Sequence, residues 1–92
     1  NYSGNLMRIY PGVQSSLHRH PIKDEPCVCL NGSLLIELEE TRCQIGPGQT
    51  VRVRPGQWHR FANPSDEVVE FVEVGTPHDD CDVERREASG RL

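Results

Sequence analysis

Apolar and polar residues alternate along short segments of this chain, and turn residues separate the segments. Arg52 and Arg54, for example, alternate with valines, which predicts that both arginines lie on the solvated outer face of a strand. The same pattern predicts strands at residues 6–10, 15–20, 27–30, 33–39, 41–45, 50–54, 58–62 and 68–74. Asn31-Gly32 predicts a hairpin between the third and fourth of these. No segment before residue 76 has a helical period, so the predicted fold class is all-β.

The last part of the chain, residues 76–92, has a different character, because it is highly charged and almost without apolar residues. It is either a frayed, solvated end or a segment that packs over the rest of the domain or over a partner. We therefore expect one domain over residues 1–75, followed by a charged tail that is part of the same domain or frayed.

Composition excludes several classes of function. The 92 residues are 35% hydrophobic and 26% charged, which is typical of a globular domain. The net charge of −4 provides no basic surface for nucleic acid, and no apolar run reaches the roughly 20 residues of a membrane span. A domain this small gains buried area by pairing, so we expect a homodimer. The spacing of the four cysteines fits no zinc finger, which favours free thiols in a reducing cytoplasm: Cys27, Cys29, Cys43 and Cys81.

Two groups of polar residues lie between turn glycines. The first group contains Gly12, His18-Arg19-His20, Glu25 and Gly32. The second contains Gly48, Pro55-Gly56, His59 and Asn63. Their spacing resembles the two motifs of the cupin family, although the family usually has Pro-x-Gly where this chain has Pro-Gly. The resemblance implies a double-stranded β-helix (jelly-roll) barrel that holds one divalent transition metal, such as zinc, manganese, iron, nickel or cobalt. The four ligand positions of the family fall on His18, His20, Glu25 and His59.

Elementary geometry agrees with this ligand set. Residues i and i+2 of a strand project from one face, so His18 and His20 can reach the same ion. Glu25 must come from another strand or a bend, and His59 lies far away in sequence, as closure of a barrel requires. Imidazole and carboxylate groups suit first-row divalent metals, and their identity does not select one metal among them.

A narrower resemblance covers most of the chain. Several segments are similar to the C-terminal cupin domain of the type II mannose-6-phosphate isomerases (phosphomannose isomerases), namely residues 11–12, 16–25, 59–64, 72–74 and, more loosely, 79–85 and 89–91. The chain departs from that family at three positions: it has His18 for glutamine, Lys23 for arginine and Cys27 for tryptophan. It also contains no glycine-rich nucleotide loop. The resemblance implies a metal barrel related to those that handle sugar phosphates.

Three functions follow as alternatives. The first is an isomerase whose small-molecule substrate is a sugar or sugar phosphate, with Glu73 as the base and Lys23 binding the phosphate. The simpler interpretation of these two residues is an exposed strand carboxylate and a solvated loop lysine. The second function is a metal-dependent dioxygenase, because cupins with three histidines and one glutamate also activate dioxygen on ferrous iron. The third is a non-catalytic module that binds metal or sugar.

Strand parity also assigns faces to three further residues. Trp58 has the parity opposite to that of His59, so we expect it outside the ligand face and at a dimer contact. Cys27 and Cys29 share the parity of Glu25, which predicts that they line the pocket.

Overall fold

Two antiparallel sheets face each other across the hydrophobic core. The computed structural model describes residues 3–19, 25–39, 41–75, 84–87 and 89–92, with the backbone alone at Ser3, Glu25 and residues 84–87. These residues form no helix, which confirms the all-β prediction. Their strands are β1 (Ser3–Ile9), β2 (Val13–Gln14), β3 (Leu17–Arg19), β4 (Glu25–Asn31), β5 (Leu34–Leu38), β6 (Arg42–Ile45), β7 (Thr50–Val53), β8 (His59–Asn63), β9 (Val69–Gly75), β10 (Glu84–Glu87) and β11 (Gly90–Arg91).

The first sheet has the order β1-β9-β4-β7. Its inner strand β9 alternates as expected, since Val69 and Phe71 are fully buried while Glu70 between them is half-buried. Strand β7 shows the same pattern: Val53 is buried, and Arg52 is exposed on the outer face as predicted. Strand β1 pairs only with β9 along the described residues, and it forms an edge of the sheet.

The second sheet is built around β8. Strand β5 pairs with one side of β8 and continues to β6, while β2 and β3 pair with the other side. Two strands from the charged tail extend this side: β10 pairs with β3, and β11 pairs with β2. Every residue of β8 is buried, so packing on both faces holds the side chains of this strand in place.

Apolar side chains from both sheets form one core. Phe61 of β8 and Phe71 of β9 join the two layers, with ring centroids 4.8 Å apart. Burying a large apolar side chain contributes about 1.5–3 kcal/mol, so the alternating strand positions supply most of the driving force for folding. The buried core residues are Ile9, Cys27, Cys29, Leu34, Ile36, Ile45, Phe61, Val69 and Phe71.

The predicted hairpin at Asn31-Gly32 is wrong. Strand β4 belongs to the first sheet and β5 to the second, so this turn carries the chain across the core rather than back along its neighbour. A type I′ hairpin turn needs positive φ at both central residues. Gly32 has φ of 82°, but among the described residues no non-glycine has positive φ, and this includes Asn31. The Asn-Gly pair therefore marks a turn here without pairing the strands beside it.

A buried asparagine fastens one end of the barrel. Asn63 is fully buried at the end of β8, and its Nδ2 donates to the carbonyl oxygens of Ile9 (2.8 Å) and Glu67 (2.6 Å). Its Oδ1 accepts from the backbone N–H of Ser65 (3.0 Å) and from the Ser65 hydroxyl (2.6 Å). These four bonds use the whole hydrogen-bonding capacity of an amide side chain. They tie the ends of β1 and β8 to the turn that leads into β9.

Candidate metal centre

His18 and His59 face each other across two neighbouring strands. They are directly opposite in the register of β3 and β8, and their ring centroids lie 4.2 Å apart at an interplanar angle of 61°. Directly opposed residues of an antiparallel pair share one face of the sheet. His59 is fully buried and His18 is half-buried, so the pair lies on the inner face of the second sheet.

Both rings are oriented through Nδ1. The Nδ1 of His59 lies 3.0 Å from the carbonyl oxygen of Gln57, and the Nδ1 of His18 lies 2.8 Å from that of Ser16. The hydroxyl of Ser16, a buried residue, is also 3.1 Å from the Nδ1 of His18. Because a carbonyl oxygen only accepts, each neutral ring carries its proton on Nδ1 and its lone pair on Nε2.

This donor chemistry fits a metal ion. Histidine ligands of metals almost always donate the second ring N–H to a carbonyl or carboxylate, which fixes the tautomer and makes the other nitrogen a better donor. The two histidines meet that requirement independently on two strands. Of the predicted ligands, these are the two that the structure brings together.

The remaining predicted residues are only partly covered. His20 and Lys23 lie outside the described residues, as does the side chain of Glu25, whose backbone begins β4 opposite Val53. Within the described ranges no three metal-ligating side chains converge, as expected when two of the four predicted ligands fall beyond them. The complete ligand set therefore remains a prediction.

Glu73 lies on the sheet that faces the histidines. It is opposite Cys27 in the register of β4 and β9, and it shares the parity of Phe71. Both of these neighbours are fully buried, and Glu73 itself is half-buried. Register and parity therefore place Glu73 with these inward neighbours, and its role as a base stays a prediction.

Phe61 closes the interior behind the histidines. Its ring lies 5.5 Å from that of His59 at 70°, two residues along the same strand. Cys27 and Cys29 are fully buried in the facing sheet as part of the core. Burial raises the pKa of the Cys29 thiol, and its Sγ lies 3.6 Å from the Gly32 carbonyl oxygen. Cys29 therefore behaves as a packed thiol.

Trp58 lies on the opposite face from the histidines, as its parity predicted. The guanidinium carbon of Arg19 lies 4.9 Å from the centroid of the Trp58 ring, a cation–π contact. The backbone N–H of Trp58 donates to Glu39 Oε1 at 3.3 Å. The histidine pair and the Arg19–Trp58 pair thus form consecutive rungs on opposite faces of β3 and β8. Arg19 covers part of the indole from within the same chain.

Sequence reasoning missed the two groups that orient the histidines. Each acceptor is the carbonyl of the residue two positions before the histidine, Ser16 in one case and Gln57 in the other. A backbone carbonyl is present at every residue, so no residue type signals this role. The serine hydroxyl next to His18 is the only part of the arrangement that residue identity encodes among these described contacts.

Comparison with known proteins now decides the family. A family model described as "Cupin domain" matches residues 5–75, a range that holds all four predicted ligands. The chain belongs to the cupin family. Its two sheets are the two halves of the jelly-roll barrel that this family shares.

The cupin is similar to proteins of several different kinds. It is 29% identical over 68 residues to a mannose-1-phosphate guanylyltransferase of Sinorhizobium fredii. The matched segment covers 74% of this chain but only 13% of that protein. A sugar phosphate isomerase of the cupin superfamily from Silicibacter pomeroyi superposes with a TM-score of 0.77 at 25% identity, covering 94% of this chain and 67% of the other. An oxalate decarboxylase variant from Bacillus subtilis has a TM-score of 0.74 at 20% identity, covering 99% and 24%. The last likeness shows the fold alone.

No helix in the described segments could span a membrane.

Proposed function

We propose that this cupin holds one divalent transition metal through His18, His20, Glu25 and His59, and that it binds or isomerises a sugar or sugar phosphate at that metal. The observation that carries the proposal is the pair of imidazoles whose Nδ1 groups are both directed to backbone carbonyls. A sugar phosphate isomerase among the similar structures, and a similar protein named for mannose 1-phosphate, support the substrate class.

The residues on the inner faces suit such chemistry. A divalent ion at this position would supply a Lewis acid for the carbonyl and hydroxyl oxygens of an open-chain sugar. Phe61 and the core behind it exclude water from the inner side of the site. Glu73, half-buried on the facing sheet, is the proposed base. Its carboxylate would take the proton from the carbon next to the carbonyl and return it to the former carbonyl carbon, while the hydroxyl proton passes from one oxygen to the other, which exchanges an aldose for a ketose.

Metal content tests the ligand set. His59→Leu fills the space of the buried ring but removes both nitrogens, and His20→Ala removes a second predicted ligand from the first motif. We expect metal per chain to fall from about one to below about 0.1 in each, because loss of one of four ligands sharply weakens binding. His78→Ala, which removes the histidine outside the ligand set, is the matched control and should keep its metal.

Elemental analysis and circular dichroism on the same sample give the result. Full metal content in folded His59→Leu contradicts the ligand set. Outright unfolding of both ligand variants means that the metal is structural, and it weakens the catalytic proposal.

Turnover on a panel of hexose phosphates then tests the reaction. Glu73→Gln should keep its metal and lose about 10²–10⁴-fold in rate, as expected for removal of a general base. Activity that requires dioxygen would instead favour the dioxygenase alternative. Binding without turnover would leave the non-catalytic module.

We also propose that the protein forms a homodimer in a reducing cytoplasm. Strand β1 is a sheet edge whose residues 4–8 are all exposed, and Leu6 and Met7 are 56% and 39% exposed on its two faces. Exposed edges of this kind readily pair with a second chain. Cys29 and Cys43 are free thiols, which agrees with a reducing compartment.

A further inference from the structure

The charged tail brings an arginine position into line with the two histidines. Strand β10 runs antiparallel to β3, with Arg85 directly opposite His18. His18 is in turn directly opposite His59 on β8. Three neighbouring strands therefore contribute one transverse row, His59–His18–Arg85. We call this the histidine row.

The row occupies one face of the sheet. Opposed residues of an antiparallel pair share a face, and the 4.2 Å separation of the two imidazole rings shows this for His18 and His59. The position of Arg85 therefore belongs to the inner face that carries the histidines. Cα atoms of directly opposed residues lie about 4.5–5.5 Å apart, so Arg85 is an immediate neighbour of His18.

Other described arginines are placed elsewhere. Arg8 forms an ion pair with Glu70, with 2.9 Å between Nε and Oε2, on the exposed side of the first sheet. Arg19 stacks on Trp58 on the opposite face from the histidines. Arg60 follows His59 on β8, so it takes the opposite face, where it lies opposite Glu37.

Charge at the site calls for a cation. Glu73 is on the inner face of the opposite sheet, and the chain as a whole carries a net charge of −4. In the proposed site the carboxylates of Glu25 and Glu73 offset the two charges of a divalent ion, so a phosphate ester gains net attraction only from a further cation nearby. Guanidinium is well suited to that task, because its planar set of donors matches two oxygens of one phosphate.

We propose that Arg85 binds the phosphate group of the substrate, so that the tail strand β10 completes the substrate site. This inference rests on the proposed metal-site function and names the class of substrate, a phosphate monoester of a sugar. It differs from the expectation drawn from the sequence, which gave the phosphate to Lys23.

Binding by metal-loaded protein tests the inference, with fructose 6-phosphate as the probe and fructose as its uncharged counterpart. We expect Arg85→Ala to weaken fructose 6-phosphate by about 10–100-fold, the range for a lost charge-assisted hydrogen bond. Fructose binding and metal content should not change. Titration calorimetry measures the affinities and elemental analysis measures the metal.

Arg91→Ala is the matched control. This substitution removes the same charge from the same tail. Arg91 lies on β11 opposite Val13, and Val13 is in turn opposite Asn63. Asn63 and His59 are the two ends of β8, about 13 Å apart at 3.3 Å per residue. Arg91→Ala should therefore keep the affinity of the wild type within about two-fold.

Other outcomes separate the two proposals. If the metal-loaded wild type binds fructose 6-phosphate and Arg85→Ala binds it equally well, the inference is wrong and the proposed function stands. Loss of affinity in Lys23→Ala but not in Arg85→Ala also overturns the inference, because it assigns the phosphate to the lysine. Equal losses in Arg85→Ala and Arg91→Ala, or an equal loss for fructose, reduce the effect to general charge or to folding of the tail. A wild type that binds no phosphate ester overturns both.

Discussion

Replacing Asn63 by alanine should destabilise the barrel more than its size suggests. The substitution removes all four hydrogen bonds of a fully buried amide. It leaves the carbonyls of Ile9 and Glu67 and the N–H of Ser65 to find other partners. The effect reaches beyond one turn, because these groups belong to the ends of β1 and β8 and to the approach to β9.

The expected loss in the free energy of unfolding is about 3–4 kcal/mol. Each net hydrogen bond contributes about 1 kcal/mol, and every buried group left unsatisfied costs about 1–3 kcal/mol. Partial rehydration of the exposed Glu67 region offsets some of the second effect. A chain of this length has a total stability of about 5–14 kcal/mol, so Asn63→Ala consumes a large part of it. At about 4–8 °C per kcal/mol, the midpoint of thermal unfolding should fall by at least about 12 °C.

Urea unfolding followed by circular dichroism measures this loss, with Asn31→Ala as the matched control. Asn31 is exposed, and its Nδ2 donates to Glu70 Oε1 at 2.9 Å. That bond and the Arg8 ion pair lower the pKa of Glu70, with Arg8 the larger cause. The control removes the same atoms where water can replace the bond, so we expect it to cost below about 1 kcal/mol. A loss in Asn63→Ala that lies within about 1 kcal/mol of the control would refute the reasoning.

Two further predictions concern the turn at Gly32 and the assembly of the chain. Gly32→Ala should lower the free energy of unfolding in urea by at least about 1 kcal/mol more than Gly56→Ala does. Both glycines have φ near 80° (82° and 78°), so the backbone strain is the same. A Cβ at Gly32 would lie 3.0 Å from the Val68 carbonyl oxygen and 3.1 Å from Val69 Cγ2, whereas nothing lies within 4 Å of a Cβ at Gly56. Equal losses would mean that the contact with the start of β9 is relieved at no cost. Light scattering at micromolar concentration should give twice the chain mass for the wild type and the single mass for Leu6→Glu, which charges the exposed edge strand; a wild type that stays monomeric on concentration excludes the homodimer.

Alternation along the chain was enough to predict the strands of the barrel, since one face of each must be apolar to cover the core. It predicted the exposed positions of Arg52 and Arg54, which alternate with the buried Val53. It also predicted that His59, the first residue of β8, and Trp58, the residue before it, lie on opposite faces of the sheet. These predictions succeed because they depend on the polarity and spacing of side chains, which can be read from the sequence.

The failures have a common physical origin in the backbone. Asn31-Gly32 signals a turn through residue type, but whether the strands beside it pair depends on where the whole chain crosses the core. Strands β10 and β11 pair through main-chain groups at the edge of a sheet, where charged side chains are tolerated, so no apolar alternation reveals them. The orientation of His18 and His59 depends on carbonyl acceptors, which every residue possesses.

Strand β10 pairs with β3, and β11 pairs with β2. These pairings give the second sheet an outer edge whose free energy of opening differs from that of its centre. Residues 13–19 and 84–91 are distant in sequence, and closing so long a segment costs entropy that only a short run of main-chain bonds repays. Residues 89–92 are exposed, so β11 adds little buried apolar area. Segments with few buried contacts open locally at a free energy well below that of global unfolding. We therefore expect the amide hydrogens of β11 to exchange before those of β8 and β9, so that β2 can lose its outer neighbour strand while the core around Phe61 and Phe71 stays closed.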